Sequence, residues 1–184
     1  VNDGDYDKAF FHRSVPGFIV QTGGYSTNQA LVNGSVPSAI PTDDPIQNEP
    51  GISNVRGTVA MAKVGGDPDS ATSQFFVNLA DNSSNLDDQN GGFTVFGTVA
   101  DMTASDAIAA LDVYNFSSTF NEIPISGSEP NLSLVVIESV SGDGEIRGTL
   151  FEDTDRDGVH RCRHCRVSIA SSNFKIVRYV YACL

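Results

Sequence analysis

Apolar and polar residues along this chain either alternate at a spacing of two or gather in short runs rich in β-branched and aromatic side chains, the pattern of strands. It predicts strands over 10–13, 17–22, 57–62, 74–79, 94–99 and 132–140. Pro16-Gly17 interrupts the first two as a turn. One helical stretch is predicted over 103–111, with Thr103 as N-cap and Ala107, Ile108 and Leu111 on one face. The Ser/Asn/Pro-rich segment 26–50 and the Gly/Asp-rich segment 81–92 have no period and read as loops.

Composition divides the chain further. With a net charge of −12 over 184 residues, nucleic acid is a poor partner. No apolar run approaches the length needed to cross a membrane. After Ser139 the composition shifts, so that 1–141 forms the main domain and 142–160 a linker. That linker carries Asp153, Asp155 and Asp157 ahead of Gly158, alternating carboxylates that suit calcium. A helix-loop-helix calcium loop is not expected, because its twelfth position would be His164 where glutamate is required. The tail 161–184 is basic, lacks acidic residues and holds all three cysteines, Cys162, Cys165 and Cys183. Its Cys-x-x-Cys offers half a zinc site without the other half, and the tail reads as something other than a folded domain. Low lysine content and a cysteine-free main domain point to export to the periplasm, cell surface or medium.

The chemistry concentrates in Phe11-His12-Arg13-Ser14-Val15-Pro16-Gly17-Phe18-Ile19-Val20-Gln21. An arginine set among apolar neighbours on a strand is either an ion-pair residue or a fixed charge in a site. Three further segments decide between these: Gly57-Thr58-Val59-Ala60-Met61-Ala62-Lys63, Ser73-Gln74-Phe75-Phe76 and Val95-Phe96-Gly97-Thr98-Val99. Occurring in this order, they resemble the cyclophilins, peptidyl-prolyl cis-trans isomerases, over residues 5–140. Asn54-Val55-Arg56-Gly57 and the Asp67 to Ser73 loop resemble the bacterial branch, and the calcium-like phrase after Gly148 resembles the opening of β-sandwich repeats in secreted bacterial surface proteins.

That resemblance implies a mainly β fold, a closed antiparallel β-barrel with a flanking helix. In cyclophilins two strands and most of a helix precede the Phe-His-Arg segment, so the chain is expected to be N-terminally truncated and to lack its first strands. The implied reaction is rotation about the bond preceding proline, opposed by a barrier of about 18–20 kcal/mol. No covalent bond is broken, so no cofactor is needed, only a pocket for the proline ring and a donor that favours the twisted amide. By motif position the donor is Arg13, with Phe18, Met61, Phe76 and Leu86 as the apolar pocket. Gln21 and Gln74 hold the flanking peptide, while Ala62 and the backbone of Lys63 border the groove. Three positions depart from the family: Ile19 replaces a common methionine, Phe93 a common histidine, and Asn85 an aromatic residue before Leu86. Expected partners are proline-containing peptides, unfolded proteins and, by resemblance, a cyclosporin-type ligand. The rival reading is a non-catalytic module that binds proline-containing segments or a neighbouring domain in a large exported protein.

Overall fold

The computed structural model describes residues 5–26, 37–127 and 132–140, together with the backbone of 145–152 and 161–170. The fold is mainly β. Strands β1 (Arg13–Val15) and β2 (Ile19–Thr22) form a hairpin. Its turn follows from the sequence: Pro16 presets φ, Gly17 takes φ 74°, and the Phe18 N–H closes on the Val15 carbonyl at 3.0 Å. Proline then glycine at the two central positions is the requirement of a type II turn. Short strands β3 (Tyr25–Ser26) and β4 (Ser38–Ala39) pair beyond it. Then come β5 (Thr58–Met61), β6 (Phe75–Asn78), the one-turn helix α1 (Ser83–Leu86) and β7 (Val95–Val99). Helix α2 (Thr103–Ala109) leads to β8 (Asp112–Tyr114), β9 (Ile123–Ser126), β10 (Ser133–Leu134) and β11 (Val136–Val140). The last described strands are β12 (Glu145–Glu152) and β13 (Arg161–Ala170).

The eight-stranded sheet runs β1-β2-β6-β5-β7-β13-β12-β11. Its two ends meet through the residues ahead of β1. Phe10 bridges Val136, and the Lys8, Phe11 and Ile137 N–H groups bond across to Ile137, Val135 and Ala9 at 2.9, 2.9 and 2.6 Å. A separate sheet, β10-β9-β8, covers Phe10 with Ile123, Ile125 and Leu134, beside Val136 of β11. On the inner face of the large sheet Val20, Val59, Phe75 and Val77 pack with Val135, Ile137 and the Ala104 and Ile108 side chains of α2. At about 1.5–3 kcal/mol per buried large apolar side chain, this cluster is the principal stabilising term.

Several expected elements differ. The helix ends at Ala109, and Thr103 lies inside it. The Asp101 carboxylate, two residues upstream, accepts both the Thr103 N–H and its hydroxyl at 2.8 and 2.6 Å, so Asp101 and not Thr103 satisfies a first-turn N–H. Segment 81–92 is more than loop, since α1 and a 3₁₀ turn at Gln89–Gly91 occupy it. Segment 26–50 includes β4 and an isolated bridge from Ile46 to Ala71. Strands β8 and β9, flanking a polar loop, were not expected from the pattern. The Asp153, Asp155 and Asp157 positions and residues 171–184 lie outside the described residues.

Candidate functional site

The ladder brings distant sequence positions into one row. Arg13 on β1 faces Gln21 on β2, Gln21 faces Phe76 on β6, Phe76 faces Ala60 on β5, and Ala60 faces Val95 on β7. Directly paired residues share a face of the sheet, and neighbouring strands are about 4.8 Å apart. The row therefore runs from a fixed cation, through an amide, to an aromatic ring and aliphatic side chains. Gln21 donates its side-chain N–H to the Gln74 carbonyl oxygen at 2.9 Å, holding the two amides together.

The apolar end is a compact cluster. Ile19, Ala60, Phe76, Leu86 and Val95 are buried, with Phe18, Ala62 and Phe93 packed against them and partly exposed. Phe93 stands edge-on to Phe76 with ring centroids 5.6 Å apart, a favoured quadrupole geometry. Lys63 places its ammonium 4.7 Å from the centre of the Phe93 ring and donates to the Asn90 and Gly92 carbonyls. Partial burial holds that ammonium below the ordinary lysine range, with Asp69 pulling the other way. Lys63 thus fastens the turn that carries Phe93.

Behind the cluster lies a row of buried amides. Asn78 donates to Asn54 Oδ1 and Thr58 Oγ1 at 3.2 and 2.9 Å and accepts from Asn82 at 2.7 Å. Asn82 also donates to the Phe18 carbonyl at 2.9 Å, and Asn54 to the Phe93 carbonyl at 3.2 Å. Both aromatic walls therefore hang from one network. The Asp87 carboxylate completes it, held below the ordinary range by the Asn54 N–H and then by the Ser53 and Asn54 side chains.

Arg13 is half exposed, and its Nε donates to Glu122 Oε2 at 3.0 Å. The adjacent His12 turns inward, and burial first of all pushes its pKa down to about 4, so the ring is neutral near pH 7. Of the expected site residues, Arg13, Phe18, Ile19, Gln21, Ala62, Lys63, Gln74, Phe76, Leu86 and Phe93 gather along this one row and its flanking cluster. Met61 does not. It pairs with Phe75, whose ring belongs to the inner core, so the strand period turns Met61 to the opposite face from Phe76. Asn85 is exposed on α1. Sequence reading missed Glu122, which lies 109 residues from Arg13 and bears no local mark. It also missed Asn78, although a lone amide closing the apolar run Phe75-Phe76-Val77 signals a buried polar role. Among the described residues no group of three or more potential metal ligands is gathered.

The family described as cyclophilin type peptidyl-prolyl cis-trans isomerase matches residues 1–130. Peptidyl-prolyl cis-trans isomerase A of Dickeya dadantii is 41% identical over 120 residues, covering 62% of this chain and 58% of that protein. An isomerase of Acinetobacter baylyi is 43% identical over 102 residues, covering 54% and 50%. Isomerase B of Escherichia coli K12 is 40% identical over 105 residues, covering 54% and 58%. The chain thus spans about half the length of the curated relatives it matches. A crystal structure of a Cryptosporidium parvum cyclophilin type isomerase superposes with a TM-score of 0.44 at 24% identity, covering 65% of this chain and 69% of that one.

Proposed function

This chain belongs to the cyclophilin-type peptidyl-prolyl cis-trans isomerases, and from that premise we propose that it accelerates rotation about X–Pro bonds in polypeptides, with Arg13 as the catalytic residue. The observation that carries the proposal is the register row from Arg13 through Gln21 to Phe76. A proline ring seated on Phe76, between Phe18 and Phe93, places its carbonyl and imide nitrogen toward the amides and the guanidinium. As the bond twists, conjugation is lost and the imide nitrogen gains a lone pair. A charge-assisted N–H donor stabilises that state more than the planar one, which is the condition for rate acceleration. Gln21 and Gln74, tied to each other, hold the flanking backbone still. The same pocket is the place for a cyclosporin-type ligand, which would compete with peptide. Low lysine content and a cysteine-free stretch before Cys162 support action on exported, folding proteins.

NMR exchange between the cis and trans forms of an Ala-Pro peptide tests the proposal. The wild-type chain should accelerate exchange, and Arg13→Ala should remove at least about a hundredfold of that acceleration, the scale of a lost charge-stabilising donor. Peptide binding by a folded wild-type chain with no acceleration would instead identify a proline-segment binding module.

A further inference from the structure

Glu122 is the one acidic side chain bonded to Arg13 among the described residues, and its backbone is unusual. It takes φ 57°, in the left-handed region that a side chain with a Cβ seldom adopts. It is held there from both sides. The Asn115 Oδ1 accepts its N–H at 2.9 Å, and its carbonyl accepts the Ser14 N–H at 2.7 Å, one residue from Arg13. Strain of this kind persists where the surroundings over-determine it, and the outcome here is a carboxylate aimed at a single atom of the site.

The atom matters. The carboxylate engages Nε, the inner N–H of the guanidinium, whereas the outer Nη groups have no hydrogen-bond partner among the described residues. An arginine gripped by its outer fork would present little to a ligand. Gripped at Nε, it has its plane and direction fixed while the fork points away, free to donate.

We propose that Glu122 is a positioning residue that locks the Arg13 guanidinium by its Nε edge and presents the Nη fork to the twisting amide. The inference rests on the catalytic reading of Arg13 and deepens it. An untethered side chain would spread over several rotamers, and the fraction correctly aimed would fall, lowering the turnover step more than peptide binding.

The test compares Glu122→Gly, Glu122→Gln and Arg13→Ala by NMR exchange at several peptide concentrations. Glycine accepts the left-handed backbone, so Glu122→Gly removes the carboxylate without straining the loop. It should keep its thermal midpoint and KM near those of the wild type and lose about tenfold in kcat. Glutamine retains an acceptor for Nε–H and should recover part of that loss. The Arg13 Nε–H resonance should exchange slowly with water in the wild type and rapidly in Glu122→Gly. A Glu122→Gly chain with wild-type or higher kcat, beside an inactive Arg13→Ala, overturns the inference while sparing the role of Arg13. Full activity in Arg13→Ala overturns both.

Discussion

His12 and Arg13 are neighbours with opposite environments, because successive side chains of a strand point to opposite faces. The ring is turned inward, 7% exposed, among Phe10 and Tyr25, while the guanidinium keeps contact with water. A permanent cation therefore faces the groove and the titratable ring does not, so the charge in the site stays constant over the neutral range. The hidden ring has a consequence for stability. Its folded pKa of about 4, set by burial first and by the Arg13 charge in the same sense, lies below the ordinary 6.5; Gln74 and the Phe10 backbone oppose the shift. An unfolded chain takes up the proton as the pH falls through 6.5, whereas the folded one does so only near 4. The stability present above pH 6.5 is thus lost across that window, by about 3 kcal/mol in all. The urea midpoint of the wild type should drop between pH 6.5 and 4, and that of His12→Gln should stay nearly flat. Parallel curves would show that other groups carry the pH dependence.

At the scale of the element, β6 illustrates what patterning reveals and what it hides. Phe75, Phe76, Val77 and Asn78 are all buried, because one face lines the inner core and the other the candidate pocket. The apolar run marks such a strand plainly, and the aromatic pair beside Gln74 is legible as a site. Register is not. That Gln21 lands opposite Phe76, and Met61 opposite Phe75 on the wrong face for the pocket, depends on pairing between segments dozens of residues apart. The short strands β8 and β9, one exposed and the other buried but broken by Pro124, and the carboxylate of Glu122 were hidden for the same reason. Asn78 belongs to this element and holds both aromatic walls indirectly. Replacing it by leucine deprives Asn54, Thr58 and Asn82 of buried hydrogen-bond partners at once. Asn78→Leu should cost about 3 kcal/mol in urea unfolding, despite adding apolar volume, because unmet buried polar groups outweigh the transfer gain. A loss under about 1 kcal/mol would mean that the network relaxes without it.

The whole molecule carries a net charge of −12, and the described part places acidic residues beside the groove. Glu49, Asp67, Asp69 and Asp88 are exposed on the loops that meet around Lys63 and Phe93, with Asp87 partly covered beneath them. Lys63, bonded to the neutral Asn90 and Gly92 carbonyls and set over the Phe93 ring, keeps its charge, but it is a single ammonium against these five carboxylates, and that flank of the groove is acidic on balance. Arg13 lies across the sheet at the other end of the row, partly neutralised by Glu122. A peptide approaching the pocket thus meets an acidic flank on the Phe93 side and a cationic point on the Arg13 side. Substrates with lysine or arginine near the proline should be drawn in by this field, and those with aspartate or glutamate held off. The attraction acts through water, so its reach follows the screening length, about 10 Å at 0.1 M salt and about 3 Å at 1 M. With matched peptides differing only in a flanking Lys or Glu, the KM of the cationic one should be about tenfold lower at low salt, and the two should converge near 1 M. The kcat values should change little, since the field acts on encounter and not on the twisted amide. Equal KM values at low salt would show that the acidic residues lie outside the path of the peptide, and would leave Phe93 and its neighbours as a purely apolar wall.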